Sequence, residues 1–350
     1  MIRVGLIGLG RIADLHYAAY PGNPGAAVHA ICDADPATLE KRRVEWGVPK
    51  EYTDYRELLA DPEIDAVEVI TPQTIHEEFV VAAAQAGKHI ACQKPMTISL
   101  ESADRMIAAV KDAGVVFKVT DNYLFYPPIA LAKQLIDEGV IGEPMMLRMK
   151  FLGGLWKGGW EVPLETWEWR MREAAAGRYL QTFDHGHHMW STAWHLMGDV
   201  EKVFAWIDKL NDLIDCPAVL TWKYRADKRY GVCDYAQALE LPIPSKYYSC
   251  DEWFEITGSR GMILVRRCTG NVLDGPAVSV FTEQGWEHHE VESDWGSGFR
   301  LANRNFLSAI QGKEKPLLTG EEAREILRFA FALRKSSDEH REVYLDELGG

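Results

Sequence analysis

The sequence lacks the long apolar runs, the excess of basic residues and the paired cysteines that mark three large classes of protein. No apolar run approaches the ~20 residues of a membrane-spanning helix. The formal net charge is −14, from 38 Lys+Arg against 52 Asp+Glu, so neither a nucleic-acid backbone nor an anionic membrane surface is an expected partner. The six cysteines include no Cys-x-x-Cys pair. We therefore expect buried thiols in a cytoplasmic protein rather than a disulfide framework or a zinc site.

Apolar strand-like runs alternate with helical patterns in the first third of the chain. This alternation predicts a doubly wound parallel sheet with helices on both faces. Pro36 and Ser99 stand where helices are expected to begin, and Gly87 and Gly114 where they are expected to end. The predicted strands are residues 2–9, 28–33, 66–71, 88–92 and 115–119, and the predicted helices are 36–46, 75–86 and 99–113.

The rest of the chain has a different pattern, in which strand-like runs follow one another with turns between them. Such a series is typical of an α+β domain built on a large open, mainly antiparallel sheet. The last helix is predicted to begin at Thr319, which has the spacing of a capping box with Glu322. We expect two domains, 1–122 and 123–350. The predicted strands of the second domain are 145–151, 201–207, 217–224, 232–241, 253–257, 261–266 and 277–282.

A glycine-rich segment, G-x-G-x-x-A from Gly8 to Ala13, joins the first strand to a helix. In a dinucleotide-binding fold the first glycine permits a tight turn and the second lets a diphosphate approach the backbone. Asp33 ends the second predicted strand, where a carboxylate binds the adenosine ribose and repels a 2′-phosphate. The sequence therefore predicts NAD rather than NADP. The alternative is a glycine turn that binds nothing.

Two further groups are candidates for chemistry. Lys94 precedes a proline at the end of a predicted parallel strand, the edge at which such sheets bind ligands. Asp184 and His188 are four residues apart, which places them on one face of a helix, where the carboxylate can orient the imidazole. The alternatives are an exposed loop lysine and histidines that pack in the core or lie on the surface. A metal site on Asp184, His185, His187 and His188 is a further alternative, which we do not favour.

Six of the 12 tryptophans fall within 39 residues, between Trp156 and Trp194. Trp156, Trp160 and Trp167 lie in and after a glycine-rich stretch. Aromatic rings commonly stack on the C–H face of a sugar, so these residues are candidates for a sugar platform. Burial is the alternative, and packing in the core or between subunits is what we expect for Trp190 and Trp194.

These motifs together resemble the glucose–fructose oxidoreductase, inositol dehydrogenase and rhizopine-catabolism family, Gfo/Idh/MocA. The resemblance rests on Gly8–Ala13, Thr71-Pro72…His76, Ala86-Gly87-Lys88-His89, the Lys94-Pro95 motif, Asn122-Tyr123, Ile141-Gly142-Glu143-Pro144, Trp169-Arg170, the D-x-G-x-H element of Asp184 to His188, and 256–261. It implies that Lys94, Asp184 and His188 are catalytic. The expected cofactor-binding residues are Gly8, Gly10, Arg11, Ile12, Asp33, Thr71, Pro72, His76, Gln93, Lys94 and Asn122. The expected substrate-binding residues are Lys94, Tyr123, Trp156, Trp160, Arg170, Asp184 and His188.

Four positions depart from the family pattern. Gln93 replaces the glutamate that usually precedes the lysine, Arg178 and Tyr179 replace two frequent glycines, and Ser191 replaces a frequent aspartate. We expect these positions to bear on the substrate rather than on hydride transfer.

The resemblance implies an NAD-dependent dehydrogenase of a sugar, glycoside or cyclitol. His188 is expected to act as the base and Lys94 to stabilise the alkoxide. One alternative is a glycoside-cleaving enzyme that recycles bound NAD through oxidation, elimination and reduction. Another is a non-catalytic NAD-sensing regulator. The resemblance also implies a homodimer or homotetramer, in which the open sheet face is covered by another subunit.

Overall fold

A computed structural model of the chain describes residues 1–155, 159–160, 164–176, 179–210 and 214–349. The chain forms two compact units. The first contains Met1–Asn122 and Phe299–Leu327, and the second contains Tyr123–Gly298 and Arg328–Gly350. In the described residues, no helix is both long and apolar enough to cross a membrane.

The first unit is built on a six-stranded sheet in which every pair is parallel, in the order β3-β2-β1-β4-β5-β6. The predicted doubly wound sheet is therefore confirmed. Its strands are β1 Ile2–Ile7, β2 Ala26–Cys32, β3 Lys50–Tyr52, β4 Ala66–Val69, β5 His89–Gln93 and β6 Phe117–Thr120. The sequence analysis missed β3 because three residues are too few to show a strand pattern.

Five helices connect these strands: α1 Ala13–Tyr17, α2 Pro36–Trp46, α3 Tyr55–Ala60, α4 His76–Gln85 and α5 Leu100–Ala113. Their ends follow local chemistry. Asp35 caps α2 by accepting hydrogen bonds from the amides of Ala37 and Thr38, and Ser99 caps α5 through the amide of Ser102. The strand order reverses direction between β1 and β4, which brings the loops after these two strands together, as in dinucleotide-binding sheets.

Residues 299–327 also pack in the first unit, although the expected division at 122/123 gave them to the second domain. Phe306 is fully buried in the core of the parallel sheet. The Nζ of Lys118 on β6 donates to the carbonyl of Ala302 and to Oδ1 of Asn305, both at 3.1 Å. An amphipathic pattern shows that a helix has a buried face but does not show which domain covers it.

The second unit is built on a nine-stranded sheet in the order β14-β13-β12-β11-β7-β10-β9-β8-β15. The sheet is mainly antiparallel, as expected, with one parallel pair between β7 and β10. Its strands are β7 Pro144–Leu155, β8 Val200–Ile207, β9 Ala218–Tyr224, β10 Tyr230–Pro242, β11 Cys250–Gly258, β12 Gly261–Val265, β13 Val278–Thr282, β14 Gly285–His289 and β15 Val343–Tyr344.

The remaining helices are α6 Pro127–Asp137, α7 Leu164–Ala175, α8 Gly186–Met197, α9 Ser297–Ile310 and α10 Gly320–Glu339. One face of the large sheet is covered by helices of the second unit. Trp190 of α8 packs there against Trp222 and Tyr235 and is fully buried, which confirms its expected core role. The predicted capping box is present, because Thr319 and Glu322 each accept a hydrogen bond from the other's amide.

Candidate active site

The glycine loop after β1 has one glycine that the fold requires and one that it does not. Gly8 has φ +90°, and a Cβ there would lie 2.9 Å from the backbone nitrogen of Thr71. Gly10 has no positive φ, and a Cβ there would meet nothing within 4 Å. Internal packing explains Gly8 but not Gly10. An open backbone at the start of a helix is what a diphosphate needs, so the loop fits NAD.

The carboxylate of Asp33 lies beside this loop. Its Oδ2 accepts the amide of Leu9 at 2.8 Å and its Oδ1 accepts the amide of Asp35 at 2.9 Å. A carboxylate can accept about four hydrogen bonds, so acceptor capacity remains for ribose hydroxyls. The side chain thus also holds the loop in place, a role that the motif alone did not indicate.

Two other expected cofactor residues contain buried polar atoms without a hydrogen-bond partner within the described chain. These atoms are Oγ1 of Thr71 and both Oδ1 and Nδ2 of Asn122. Asn122 is only 1% exposed. Buried polar atoms are rarely left unpaired, so these atoms are consistent with a polar ligand that the protein alone does not supply.

His76 is almost fully buried and connects two loops of the same unit. Its Nε2 lies 2.7 Å from the carbonyl oxygen of Thr71, and its Nδ1 lies 3.0 Å from that of Pro95. Burial lowers the pKa of His76, although the surrounding carbonyl groups oppose the shift. These contacts hold the loops after β4 and β5 together, and direct contact of His76 with a cofactor stays a prediction.

The other expected residues of the first unit lie at the same carboxyl edge of the sheet. Arg11 is paired with Asp14 at 3.3 Å, and Ile12 packs against the core. Pro72 accepts the amide of Ile75 at 3.1 Å. Lys94 directly follows β5, and the side chain of Gln93 accepts its amide at 2.8 Å.

In the second unit, a π-helical segment from Leu180 to His185 leads directly into α8. The wider turn intervenes between Asp184 and His188 and changes the angular relation of residues four apart, so their expected position on one helix face stays a prediction. π-Helical turns are frequent at functional sites. Asp184 lies 4.0 Å from the guanidinium of Arg170.

His188 is 7% exposed and lies in the first turn of α8. The ring of Tyr123 stacks on its imidazole, with 4.1 Å between centroids and 12° between planes. Tyr123 is fully buried, and burial raises the pKa of its phenol well above the usual value. The imidazole is therefore held flat against a neutral ring, which fixes its orientation.

The neighbouring histidines have different partners. His187 lies with Nδ1 2.6 Å from the carbonyl oxygen of Phe183, so it bonds to the π-helical segment that precedes α8. His185 lies with Nε2 2.9 Å from Oε1 of the fully buried Glu252. Burial would raise the pKa of Glu252, but the interaction with His185 holds it below its ordinary value. Glu252 was not predicted from the sequence, because it lies on β11, 67 residues from His185.

A cluster of potential metal ligands among the described residues contains His185, Cys250 and Glu252, whose ligand atoms lie within 4.8 Å of one another. It is not the set considered from the sequence, because it includes neither Asp184 nor His188. All six cysteines are free and buried, and burial raises the pKa of the Cys250 thiol well above its usual value. A protonated thiol is a poor metal ligand.

Trp160 belongs to a group of aromatic rings that extends to His188. Its ring meets those of Tyr247 and Tyr248 edge-on, at 5.2 and 5.7 Å between centroids. Trp295 contacts Tyr247 and Tyr248 and meets Tyr123 edge-on at 6.4 Å. Trp160 and Tyr248 are only partly buried. Trp156 and Arg178 lie outside the described residues.

Comparisons with known proteins agree with this architecture. A model of the Gfo/Idh/MocA oxidoreductase family, NAD-binding Rossmann fold, matches residues 2–121, and one of its C-terminal alpha/beta domain matches residues 133–345. The chain is 30% identical to myo-inositol 2-dehydrogenase of Thermotoga maritima, over all of both chains. It is 30% identical to D-apiose dehydrogenase of Paraburkholderia graminis, over 98% of this chain and 89% of that one.

Solved structures have the same fold. A probable dehydrogenase from Thermotoga maritima matches with a TM-score of 0.81 at 27% identity, over 99% of this chain and 100% of that one. Levoglucosan dehydrogenase in complex with NADH and levoglucosan matches with a TM-score of 0.83 at 22% identity, over 98% and 99%. The chain belongs to the Gfo/Idh/MocA family of NAD-binding oxidoreductases.

Proposed function

We propose that the protein oxidises a secondary or anomeric hydroxyl of a sugar, glycoside or cyclitol and passes the hydride to NAD. The observation that carries the cofactor assignment is Gly10, a glycine that nothing in the fold requires. The substrate class is supported by relatives named for myo-inositol and D-apiose, which are both polyhydroxylated compounds.

The first unit is proposed to hold NAD through its own backbone and three side chains. The amides of Gly10, Arg11 and Ile12 would bind the diphosphate at the start of α1. Asp33 accepts the ribose hydroxyls, while Thr71 and Asn122 offer the polar atoms that lack partners within the described chain. Five expected cofactor residues remain. We propose that Gly8, Pro72, His76 and Gln93 shape the loops around these groups and that Lys94 contacts both the cofactor and the substrate.

The chemical roles are assigned to three side chains. When bound, NAD supplies the hydride acceptor. His188 takes the hydroxyl proton, because a neutral imidazole is a base near neutral pH and its ring is held by Tyr123. Asp184 orients His188 and stabilises the imidazolium that forms. The ammonium of Lys94 donates to the substrate oxygen and stabilises the developing alkoxide.

The substrate is proposed to stack on the partly exposed rings of Trp160 and Tyr248, with Trp156 as a further candidate. These rings extend the aromatic group that begins at His188, so a sugar ring lying on them would continue that surface. Arg170 is close enough to Asp184 to hold its carboxylate. It would then serve the substrate site through Asp184.

We further propose a homodimer or homotetramer in the cytoplasm. The face of the large sheet that helices leave open exposes Trp206, Val219 and Tyr230, with Trp206 57% exposed. An apolar surface of this kind is typical of a subunit interface. The buried, unpaired thiols fit a reducing compartment.

The test is a panel of free sugars, cyclitols and aryl glycosides incubated with the protein and NAD. NADH is followed by absorbance, and the products by mass spectrometry. Stoichiometric NADH with one class of polyol is expected. Release of an aglycone without net NADH would overturn the proposal in favour of glycoside cleavage, and binding of NAD without turnover of any compound would favour a sensor.

A further inference from the structure

A chain of hydrogen bonds runs from the backbone of Lys94 toward the interior of the first unit; it is partly buried at Gln93 and buried at His16 and Glu68. Oε1 of Gln93 accepts the amide of Lys94 at 2.8 Å, and Nε2 of Gln93 lies 3.0 Å from Nε2 of His16. Nδ1 of His16 in turn contacts Oε2 of Glu68 on β4. His16 and Glu68 are 3% and 2% exposed, and the family resemblance assigns no role to either.

The donor and acceptor of every hydrogen bond in this series follow from one group, the backbone amide of Lys94. A backbone amide can only donate, so the atom of Gln93 that faces Lys94 is the carbonyl oxygen. The NH2 group of Gln93 then faces His16 and can only donate to it. His16 must accept at Nε2 and therefore carries its proton at Nδ1, which donates to Glu68. The geometry thus defines a neutral Nδ1–H tautomer whose proton points at an anion.

The surroundings of Glu68 stabilise its negative charge. Its Oε1 accepts hydrogen bonds from Tyr20 and, at 2.7 Å, from Nδ2 of Asn303. Burial raises the pKa of Glu68, and the hydrogen bonds from His16, Tyr20 and Asn303 oppose that shift by lowering it. Lys118 also acts electrostatically on Glu68. A buried carboxylate with this many donors is stable as an anion.

We propose that Glu68 and His16 are positioning residues for Lys94, and that Glu68 supplies through His16 the negative charge that a glutamate at position 93 would otherwise bring. This inference rests on the proposed role of Lys94. Gln93 suits the site because its amide both accepts from Lys94 and donates to His16. A glutamate there would face His16 with a second acceptor, and the imidazole would need two protons to satisfy both.

A charge swap tests this reasoning. Glu68→Gln removes the anion, and Glu68→Gln combined with Gln93→Glu restores one anion at the opposite end of His16. We expect kcat to fall about tenfold or more in the single variant, because small displacements of a catalytic group are costly, with a smaller change in substrate KM. The double variant should recover most of that loss.

A second readout needs no substrate. The 15N chemical shifts of His16, assigned by comparison with His16→Gln, report where the imidazole carries its proton. We expect Nδ1–H in the wild type, Nε2–H in the double variant, and both nitrogens protonated in Gln93→Glu alone. Tyr20→Phe is the matched control, because it removes a donor to Glu68 outside the chain. It should lower stability while leaving the His16 tautomer unchanged.

The outcomes separate this proposal from the proposed function. An Nε2–H tautomer in the wild type would overturn the chain, whatever the protein catalyses. A folded double variant that is no more active than Glu68→Gln would overturn the positioning role. If the wild type turns over none of the panel substrates, the proposed function fails, and the tautomers still decide whether the chain exists. If Glu68→Gln does not fold, the protonation of His16 in the single variant Gln93→Glu decides between the outcomes. A neutral His16 in that variant would contradict the proposal.

Discussion

Replacing Gly10 by alanine should separate NAD affinity from stability. A Cβ at Gly10 meets no atom within 4 Å, and the residue has no positive φ. Alanine should therefore leave the fold intact and stabilise it by about 0.4–1 kcal/mol, by restricting the unfolded chain. The same methyl group would occupy the space proposed for the diphosphate. We expect NAD affinity to fall about tenfold or more, which corresponds to at least ~1.4 kcal/mol of binding free energy.

The assay is a thermal melt of each variant without nucleotide, paired with calorimetric titration of NAD. Gly8→Ala is the matched control. Its Cβ would lie 2.9 Å from backbone atoms of Ile70 and Thr71, at φ +90°, so the variant should lose on the order of 1–3 kcal/mol of stability. Wild-type NAD affinity in Gly10→Ala would refute the reasoning, and so would a lowered melting temperature.

Further predictions concern the cofactor, the base, the substrate and a buried charge. Asp33→Ser should shift the ratio of NAD to NADP dissociation constants toward NADP, because it removes the carboxylate that repels a 2′-phosphate; an unchanged ratio would contradict this. His188→Ala should lower kcat by about 10²–10⁴ with NAD affinity retained, whereas wild-type turnover would exclude it as the base. Trp160→Ala should raise substrate KM several-fold at similar kcat, because the substrate loses the binding free energy of about one aromatic contact. An unchanged KM would show that Trp160 does not contact the substrate. Burial lowers the pKa of Lys118 from 10.5 to about 7. Between pH 7 and 10.5 this lysine is therefore more protonated in the unfolded chain than in the folded one. Its contribution makes the free energy of unfolding rise with pH over that range. Lys118→Met should reduce the rise with pH of the free energy of unfolding, measured by urea titration at several pH values over that range. An unchanged slope would show that Lys118 is charged in the folded protein.

His195→Ala serves as the control for His188→Ala. It removes an imidazole from the last turn of the same helix, and the proposed chemistry does not use it. Its kcat should stay near the wild-type value. A loss equal to that of His188→Ala would show that both substitutions act through the stability of α8.

Local features of the fold were predictable from the sequence because they depend on neighbouring residues. The strands and helices of the parallel sheet follow from apolar periodicity, and the caps at Ser99 and Thr319 follow from side chains within reach of their own helix. The π-helical segment was missed because no residue type marks it. The packing of residues 299–327 in the first unit was not predicted, because it depends on which domain the helices pack against and not on their own sequence.

The same distinction between local and long-range features applies to the candidate site. The residues at Gly8, Lys94 and His188 were recognisable because their motifs are contiguous in the chain. The buried carboxylates Glu68 and Glu252 were not, since each lies far along the chain from the histidine it contacts. For Glu68, the lone acidic residue of the otherwise apolar β4 was the available signal, because a carboxylate is rarely buried without a partner.

The central claim is tested most directly by following a labelled hydride. The protein is incubated with NADH deuterated at C4 of the nicotinamide and with oxidised forms of the panel sugars and cyclitols. We predict that one product gains a single deuterium on a carbinol carbon, with one NAD formed per product, and that His188→Ala loses this activity. Unlabelled products and an undiminished NADH pool, in a protein that binds NADH, would contradict the assignment as a dehydrogenase.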